Sequence, residues 1–160
     1  MMKIVDNEKL IPVLRELIQQ GKSVNLLISG SSMSPFLIHH RDYIIFEKPE
    51  KPLKRGNMVF YQRPNGAYVM HRIHHIDKKG NLFIIGDAQT QIEGPVDQNC
   101  VFGIVTKVKR KGKLIGPGDF WWEFFEHIWI HMIPVRHFIT KLYGIQYRIR
   151  SAGSVKNKKS

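Results

Sequence analysis

Hydroxyl side chains are concentrated in the segment Ser-Gly-Ser-Ser-Met-Ser-Pro-Phe-Leu, residues 29–37. A serine hydroxyl is a poor nucleophile until a neighbouring base takes its proton, so this segment needs a partner. Three histidines, His71, His74 and His75, are candidate bases on one predicted strand. Because alternate residues of a strand point to opposite faces, we expect His71 and His75 on one face and His74 on the other. Residues 29–37 are therefore a candidate nucleophile loop.

Short segments rich in Val, Ile, Phe and Tyr predict the strands that must position these groups. They are residues 24–29, 42–47, 57–62, 67–76, 81–86 and 101–110. Pro64-Asn65-Gly66 and the Lys-Lys-Gly-Asn at 78–81 are good reversing sequences, so residues 57–86 are predicted to form a three-stranded antiparallel meander.

Two helical segments flank the predicted strands. Apolar residues at helical spacing predict an amphipathic helix over residues 7–21, with Asn7 as its N-cap. A second helix is predicted to begin at Asp119 and to stop or kink at Pro134. Its apolar run is shorter than the roughly 20 residues that a bilayer span needs, and no secretory signal or N-terminal anchor is recognised.

The chain has 160 residues, enough for one domain, and its single Cys100 cannot form an internal disulfide. The net charge is +12, and no Asp or Glu follows Glu126, so the excess is concentrated at the C-terminal end. A basic end of this kind either keeps a protein soluble or meets anionic lipid, nucleic acid or an acidic partner, and charge alone does not choose among these.

Several sequence boxes resemble those of the signal peptidase I and LexA-like serine peptidase superfamily. Residues 30–37 are similar to its G-x-S-M-x-P motif, in which the serine before the methionine is the nucleophile; here it is Ser32. Residues 54–60 resemble its basic-Gly-Asp-x-Val box, with Asn57 in the aspartate position. Three further features follow in the same order: the base box at 69–73, the Gly-Asp box at 85–87, and the closing Gly-x-Val strand at 102–105.

The resemblance implies particular roles for the site residues. Bacterial signal peptidases place a lysine at the base position, whereas those of the endoplasmic-reticulum type use histidine, so His71 assigns the chain to the Ser/His branch. The carboxylate that orients the base would come from the loop after the Gly-Asp box, where Asp87 and Asp97 are favoured over Glu93. The oxyanion would be held by the Ser32 amide with help from Ser31 or Ser34, and Met33 would lie beside the substrate.

These features together predict an α+β, mostly β protein: a LexA/signal-peptidase-like antiparallel sheet with an N-terminal helix and a C-terminal amphipathic helical segment. The predicted divisions are an N-terminal helix at 1–23, a serine peptidase core at 24–115, an aromatic and basic helical segment at 116–150, and a basic tail at 151–160. We interpret Glu123, His127 and His131, spaced by four, as the polar stripe of a helix instead of metal ligands.

The predicted function is that of a serine endopeptidase that cleaves a peptide or protein precursor without metal or cofactor. We expect it in the cytoplasm, with attachment to an anionic inner membrane face through residues 119–150 as an open possibility, and we do not expect nucleic acid as its partner. The alternative hypothesis is a catalytically inactive module that binds peptides or serves as a basic adaptor to membranes or nucleic acid.

Overall fold

The computed structural model describes residues 7–139 and 141–142. Helix α1, Asn7–Gln19, is followed by eight strands: β1 Val24–Leu27, β2 Tyr43–Glu47, β3 Met58–Gln62, β4 Tyr68–Ile76, β5 Leu82–Ile85, β6 Glu93–Val96, β7 Val101–Arg110 and β8 Lys113–Ile115. The predicted α+β class with a mostly antiparallel sheet is confirmed. The predicted basic tail lies outside the described residues, as do residues 1–6 and 143–150.

All eight strands belong to one antiparallel sheet. Their order is β1-β2-β7-β3-β4-β5-β6, and β8 pairs with β7. The predicted meander is confirmed as β3-β4-β5. Strand β7 holds the sheet together because it pairs with β2, β3 and β8. Strand β1 is an edge strand, and no described strand pairs with its outer side.

A β-bulge interrupts β4 after the candidate base. The register between β4 and β5 shifts between Ile73 and His75. The Nδ1 atoms of His74 and His75 lie 2.8 Å apart, and the His75 ring stacks on Phe83. The prediction that these two histidines point to opposite faces is therefore wrong, because the extra residue of a bulge breaks the alternation of side chains.

The larger hydrophobic cluster lies between α1, the sheet and the C-terminal segment. Ile18 of α1, Phe46 of β2 and Phe36 of the nucleophile loop are fully buried within it. Burial of one such side chain stabilises the fold by about 2 kcal/mol, so the loop at 31–37 is fixed by its own apolar residues. A smaller cluster formed by β3, β4 and β5 contains Val59, Tyr61, Ile73, Leu82 and Ile84.

The C-terminal segment is helical but changes pitch along its length. It consists of α2 at Phe120–Glu123, a π-helical turn at Phe124–Ile128, a 3-10 turn at Trp129–His131 and α3 at residues 133–139. Asp119 occupies the N-cap position of α2, but its carboxylate accepts from the Gly116 N–H instead of a helical N–H. Among the described residues, no helix has the length and apolar character needed to cross a bilayer.

One side of this C-terminal segment packs on the core. Trp122, Phe125 and Trp129 are buried in the larger cluster, whereas Phe120 and Trp121 remain exposed. The segment therefore completes the core with one side and presents aromatic side chains to solvent with the other.

Candidate active site

The nucleophile loop forms a tight turn after β1. The Ser34 N–H donates to the Ser31 carbonyl at 3.0 Å, and the Gly30 N–H donates to Nδ1 of His39 at 2.9 Å. Met33 is buried beneath the turn, whereas Ser32 is partly exposed. The loop therefore presents the Ser32 side chain at the surface of a rigid support.

The loop that follows β5 holds Ser32 through the backbone. The Ala88 N–H donates to the Ser32 carbonyl at 2.8 Å. Gly86 has to be a glycine there, because a Cβ on it would lie 2.6 Å from the same carbonyl oxygen. The Gly-Asp box thus positions the nucleophile loop by close backbone contact.

His71 lies on β4 near the same loop. Its neighbour Arg72 pairs with Ile85, the residue that precedes Gly86, so the strand leads directly to the contact with Ser32. The His71 ring is buried, and its Nδ1 atom has no hydrogen-bond partner. Burial lowers the pKa of His71 to about 4, and the charge of Arg63 adds to this effect. The imidazole is therefore neutral at physiological pH, as a general base must be.

A charged network lies next to the His71 ring. The Tyr61 hydroxyl donates to Glu93 at 2.9 Å, and Nε of Arg63 donates to the same carboxylate at 2.8 Å. The rings of Tyr61 and His71 are 6.4 Å apart between centroids. The hydrogen bond from Arg63 lowers the pKa of Glu93, with a further contribution from Tyr61, so this carboxylate stays ionised. Its charge raises the pKa of His71 against the larger effect of burial.

The two favoured aspartates have other partners. Asp87 is fully buried, and its carboxylate accepts two hydrogen bonds of 3.0 Å from the Arg72 guanidinium. Asp97 is exposed and accepts from the Asn99 N–H at 2.8 Å, where it caps a short 3-10 helix, Gln98–Cys100. Neither carboxylate is hydrogen-bonded to His71. Glu93, ranked last from the sequence, is the acidic residue whose charge acts on the base.

Ser32 also carries a candidate oxyanion donor. Within the described residues its N–H donates no hydrogen bond, so it is available to a ligand. The Ser34 N–H is already used within the turn, which leaves only its partly buried hydroxyl for such a role. Ser31 is exposed beside Ser32.

An apolar groove of about 250 Å³ opens beside Ser32. Its lining includes Ser32 and Met33, Leu26 and Leu27 of β1 with the following Ile28, and Tyr68, Val69 and Met70 of β4. The start of β4, residues 68–71, pairs with β3 on one side, whereas its other side is not paired because β5 begins to pair only at Arg72. The groove lies between this side of β4 and the unpaired edge of β1. It therefore offers backbone hydrogen-bonding groups on two sides.

The C-terminal segment fixes the Gly-Asp loop from behind. The buried Arg136 guanidinium donates to the carbonyls of Gly86 at 2.9 Å and Gln89 at 3.0 Å. Nε1 of Trp129 donates to the Asp87 carbonyl at 2.8 Å. No local motif of the sequence indicates these long-range contacts; the only signal is one arginine within an apolar segment.

The spaced residues Glu123, His127 and His131 do not converge on one point. Nε2 of His127 lies 3.1 Å from Glu123, whereas Nδ1 of His131 lies 3.0 Å from the Arg55 guanidinium. In the part of the chain that the structure describes, no group of three or more His, Cys, Asp or Glu side chains is placed to hold a metal ion.

Comparison with known proteins gives no match to a family model, a curated protein or a solved structure.

Proposed function

We propose that the protein is a serine endopeptidase with a signal-peptidase/LexA-like sheet, in which Ser32 is the nucleophile and His71 the general base. The observation that carries this proposal is the arrangement around residues 86–88. This short loop contacts the Ser32 carbonyl directly, and it follows the strand that pairs with the residue after His71. The His71 imidazole is buried and neutral, and its Nδ1 atom has no hydrogen-bond partner. This supports a catalytic role, because buried polar groups that serve only the structure normally have a hydrogen-bond partner.

The reaction follows from these groups. His71 takes the Ser32 proton as the hydroxyl oxygen attacks the peptide carbonyl carbon, and the Ser32 N–H donates to the oxyanion that forms. The imidazolium then gives its proton to the leaving amine. Water, deprotonated by His71, then attacks the acyl ester, and the imidazolium returns this proton to the Ser32 oxygen as the second product leaves.

The Ser32 hydroxyl and the His71 ring are not hydrogen-bonded to each other in this structure. Catalytic hydrogen bonds are often long without substrate and shorten when the complex forms. The mechanism therefore requires a movement that brings the Ser32 hydroxyl and the His71 ring into contact.

The groove fits an extended peptide. An unpaired strand edge binds an extended chain by main-chain hydrogen bonds, and pockets beside it select alternate side chains. The groove has such edges at β1 and β4, and its lining is mostly apolar. We therefore expect substrates with apolar side chains next to the scissile bond.

Glu93 is proposed as the acidic member of the site. Its charge stabilises the imidazolium that forms when His71 accepts the proton, while Tyr61 and Arg63 hold the carboxylate in place. Replacement of Glu93 by Gln should lower the pKa of His71 further and reduce turnover.

The test is cleavage of an unstructured peptide library by the full chain and by Ser32→Ala and His71→Gln. Each variant should lose at least about 1,000-fold in kcat/KM, as loss of a nucleophile or base does in serine proteases. Ser23→Ala and His75→Gln are matched controls, because both positions are exposed and neither has a role in the proposed site. Undiminished cleavage by either site variant would refute the proposal.

A peptide-binding module without catalysis is the second candidate, favoured by the missing hydrogen bond between Ser32 and His71. It predicts that library peptides bind in the groove and are never cut. Binding would then be unchanged in Ser32→Ala and weakened by a bulky substitution of the groove residue Ala67, whereas the endopeptidase releases new peptide termini.

A further inference from the structure

An aromatic and cationic surface lies beside the tip of the β7–β8 hairpin. This aromatic-cationic patch consists of Arg110, Lys111, Lys113, Phe120, Trp121 and Phe124. All but Phe120 line one open groove of about 440 Å³. Phe120 extends it, since its ring lies 5.2 Å from that of Trp121 and 6.3 Å from that of Phe124 between centroids.

The aromatic rings of the patch are exposed although the same segment buries others. Phe120 is 72% exposed and Trp121 47%, whereas Trp122, the next residue, is 6% exposed. The core is therefore filled without Phe120 and Trp121. A contiguous set of exposed aromatic side chains marks an interaction surface, because its exposure to water is unfavourable.

Cations surround these rings. The Arg110 guanidinium lies 5.2 Å from the Trp121 ring centroid, and Lys111 and Lys113 are exposed at the hairpin tip. Asp119, Glu123 and Glu126 are the carboxylates of the adjoining segment. Asp119 and Glu123 accept from the N–H groups of Gly116 and Gly118, and Glu126 accepts from Nε1 of Trp122. Within residues 7–139, no ion pair joins any of these carboxylates to Lys111 or Lys113.

Helix α3 and residues 141–142 after it present a similar combination. Val135, Phe138 and Leu142 follow the helical spacing of one face and are 40%, 70% and 66% exposed. Lys141 beside them is also exposed. The chain therefore leaves apolar side chains with nearby cations unburied on two successive helical elements.

We propose that the aromatic-cationic patch docks on an anionic lipid bilayer. Phe120 and Trp121 enter the boundary between headgroups and acyl chains, where amphipathic aromatic rings are favoured. Lys111 and Lys113 lie against the lipid phosphates, which attract basic side chains near the surface.

The number of cations favours lipid over nucleic acid as the partner. A nucleic-acid site relies on many phosphate contacts, whereas this patch offers two lysines and one arginine. Most of the exposed surface of the patch is the apolar surface of aromatic rings. A bilayer boundary buries such surface, and a phosphate backbone does not. A bilayer also accepts rings that project outward, as Phe120 does.

Docking here would place the nucleophile loop near the membrane. Pro35, three residues after Ser32, lines the groove of the patch, and its carbonyl accepts from Arg110 at 3.4 Å. Attachment does not depend on catalysis, so vesicle binding and peptide cleavage can fail separately.

The experiment uses the full chain and vesicles of equal parts phosphatidylcholine and phosphatidylglycerol, with pure phosphatidylcholine vesicles for comparison. Sedimentation should show binding to the anionic vesicles. Tryptophan emission should shift to the blue on binding, because Trp121 is exposed whereas Trp122 and Trp129 are buried. Trp121→Phe should keep most of the binding and lose the shift, which assigns the signal to this residue.

Variants of the patch test its two components. The Phe120→Ser and Trp121→Ser double variant should lose binding, and the Lys111→Gln and Lys113→Gln double variant should bind about 30-fold more weakly. Lys78→Gln with Lys79→Gln is the matched control at another exposed turn and should bind as the parent does. All sites are exposed, and unchanged melting confirms that the variants are folded.

Several results would overturn the proposal. They are absence of binding by the parent chain, equal binding to both kinds of vesicle, or undiminished binding by the Phe120 and Trp121 double variant. Binding that survives in that variant but is lost when the basic residues of segment 148–159 are replaced would assign attachment to the tail. Binding of duplex DNA that depends on Trp121, without vesicle binding, would assign the patch to nucleic acid.

Discussion

The carbonyl oxygen of Ser32 accepts a hydrogen bond of 2.8 Å from the Ala88 N–H, which joins the candidate nucleophile to the loop after β5. The two residues are far apart in the sequence and lie on different loops. Their contact requires that Gly86 carry no side chain. The position of Ser32 thus depends on a loop that is itself held by the C-terminal segment.

Gly86→Ala should displace the nucleophile loop. The new Cβ would lie 2.6 Å from the Ser32 carbonyl, so one of the two loops has to move. We expect a loss of about 1–3 kcal/mol in the free energy of unfolding and a fall of about 100-fold in kcat/KM. Gly116→Ala is the control, because its Cβ would lie 3.4 Å from a flexible lysine side chain. Equal activity of the two variants would contradict the proposed contact.

Acid should destabilise the protein through His71. Its pKa is about 4 in the folded state and near 6.5 when unfolded, so between these values the unfolded state binds the proton and the folded state does not. Protonation of His71 therefore does not affect the free energy of unfolding above pH 6.5 and lowers it by about 3 kcal/mol at pH 4. Urea unfolding of the parent chain and of His71→Gln at both pH values measures it. If the free energy of unfolding falls by the same amount between pH 6.5 and pH 4 in both proteins, the ring is not buried in its neutral form.

Asp87→Asn should mainly lower the stability of the fold. It would leave the buried Arg72 guanidinium without its charged partner, which costs about 3–5 kcal/mol in comparable pairs. If Asp87 is structural, adding Arg72→Met should recover part of that loss in thermal unfolding. A single variant that is fully stable and inactive would instead assign Asp87 to catalysis.

Arg136→Met should loosen the Gly-Asp loop. The substitution removes the donors to the Gly86, Gln89 and Trp129 carbonyls, and unsatisfied buried groups cost about 1–3 kcal/mol each. Hydrogen exchange of residues 86–89 should accelerate, and kcat should fall at temperatures well below the melting point. Lys141→Met, on an exposed residue of the same segment, is the control. Unchanged exchange in this loop would disprove the bracing role.

The sequence indicated the strands well because each has an uninterrupted run of β-formers between turn residues. It missed β6 and β8, since Glu-Gly-Pro-Val resembles a turn and Lys-Leu-Ile is too short to show a period. The faces of His74 and His75 were wrong because a bulge depends on the partner strand.

The acidic residue could not be chosen from the sequence for a similar reason. Asp87 and Glu93 both follow β5 within a few residues, and their roles depend on which arginine each one contacts. Arg72 forms an ion pair with Asp87, and Arg63 forms one with Glu93. Neither pairing follows from local spacing in the sequence. The position of Ser32, in contrast, was readable from a compact local motif.

The bracing of residues 86–89 by Arg136 has a consequence for biosynthesis. A nascent chain that has left the ribosome only as far as β8 contains Ser32, His71 and Glu93, but it lacks Trp122, Phe125, Trp129 and the guanidinium that holds their loop. We expect such a chain to be inert, so the proposed activity would appear only after residues 120–136 have left the ribosome and packed on the core.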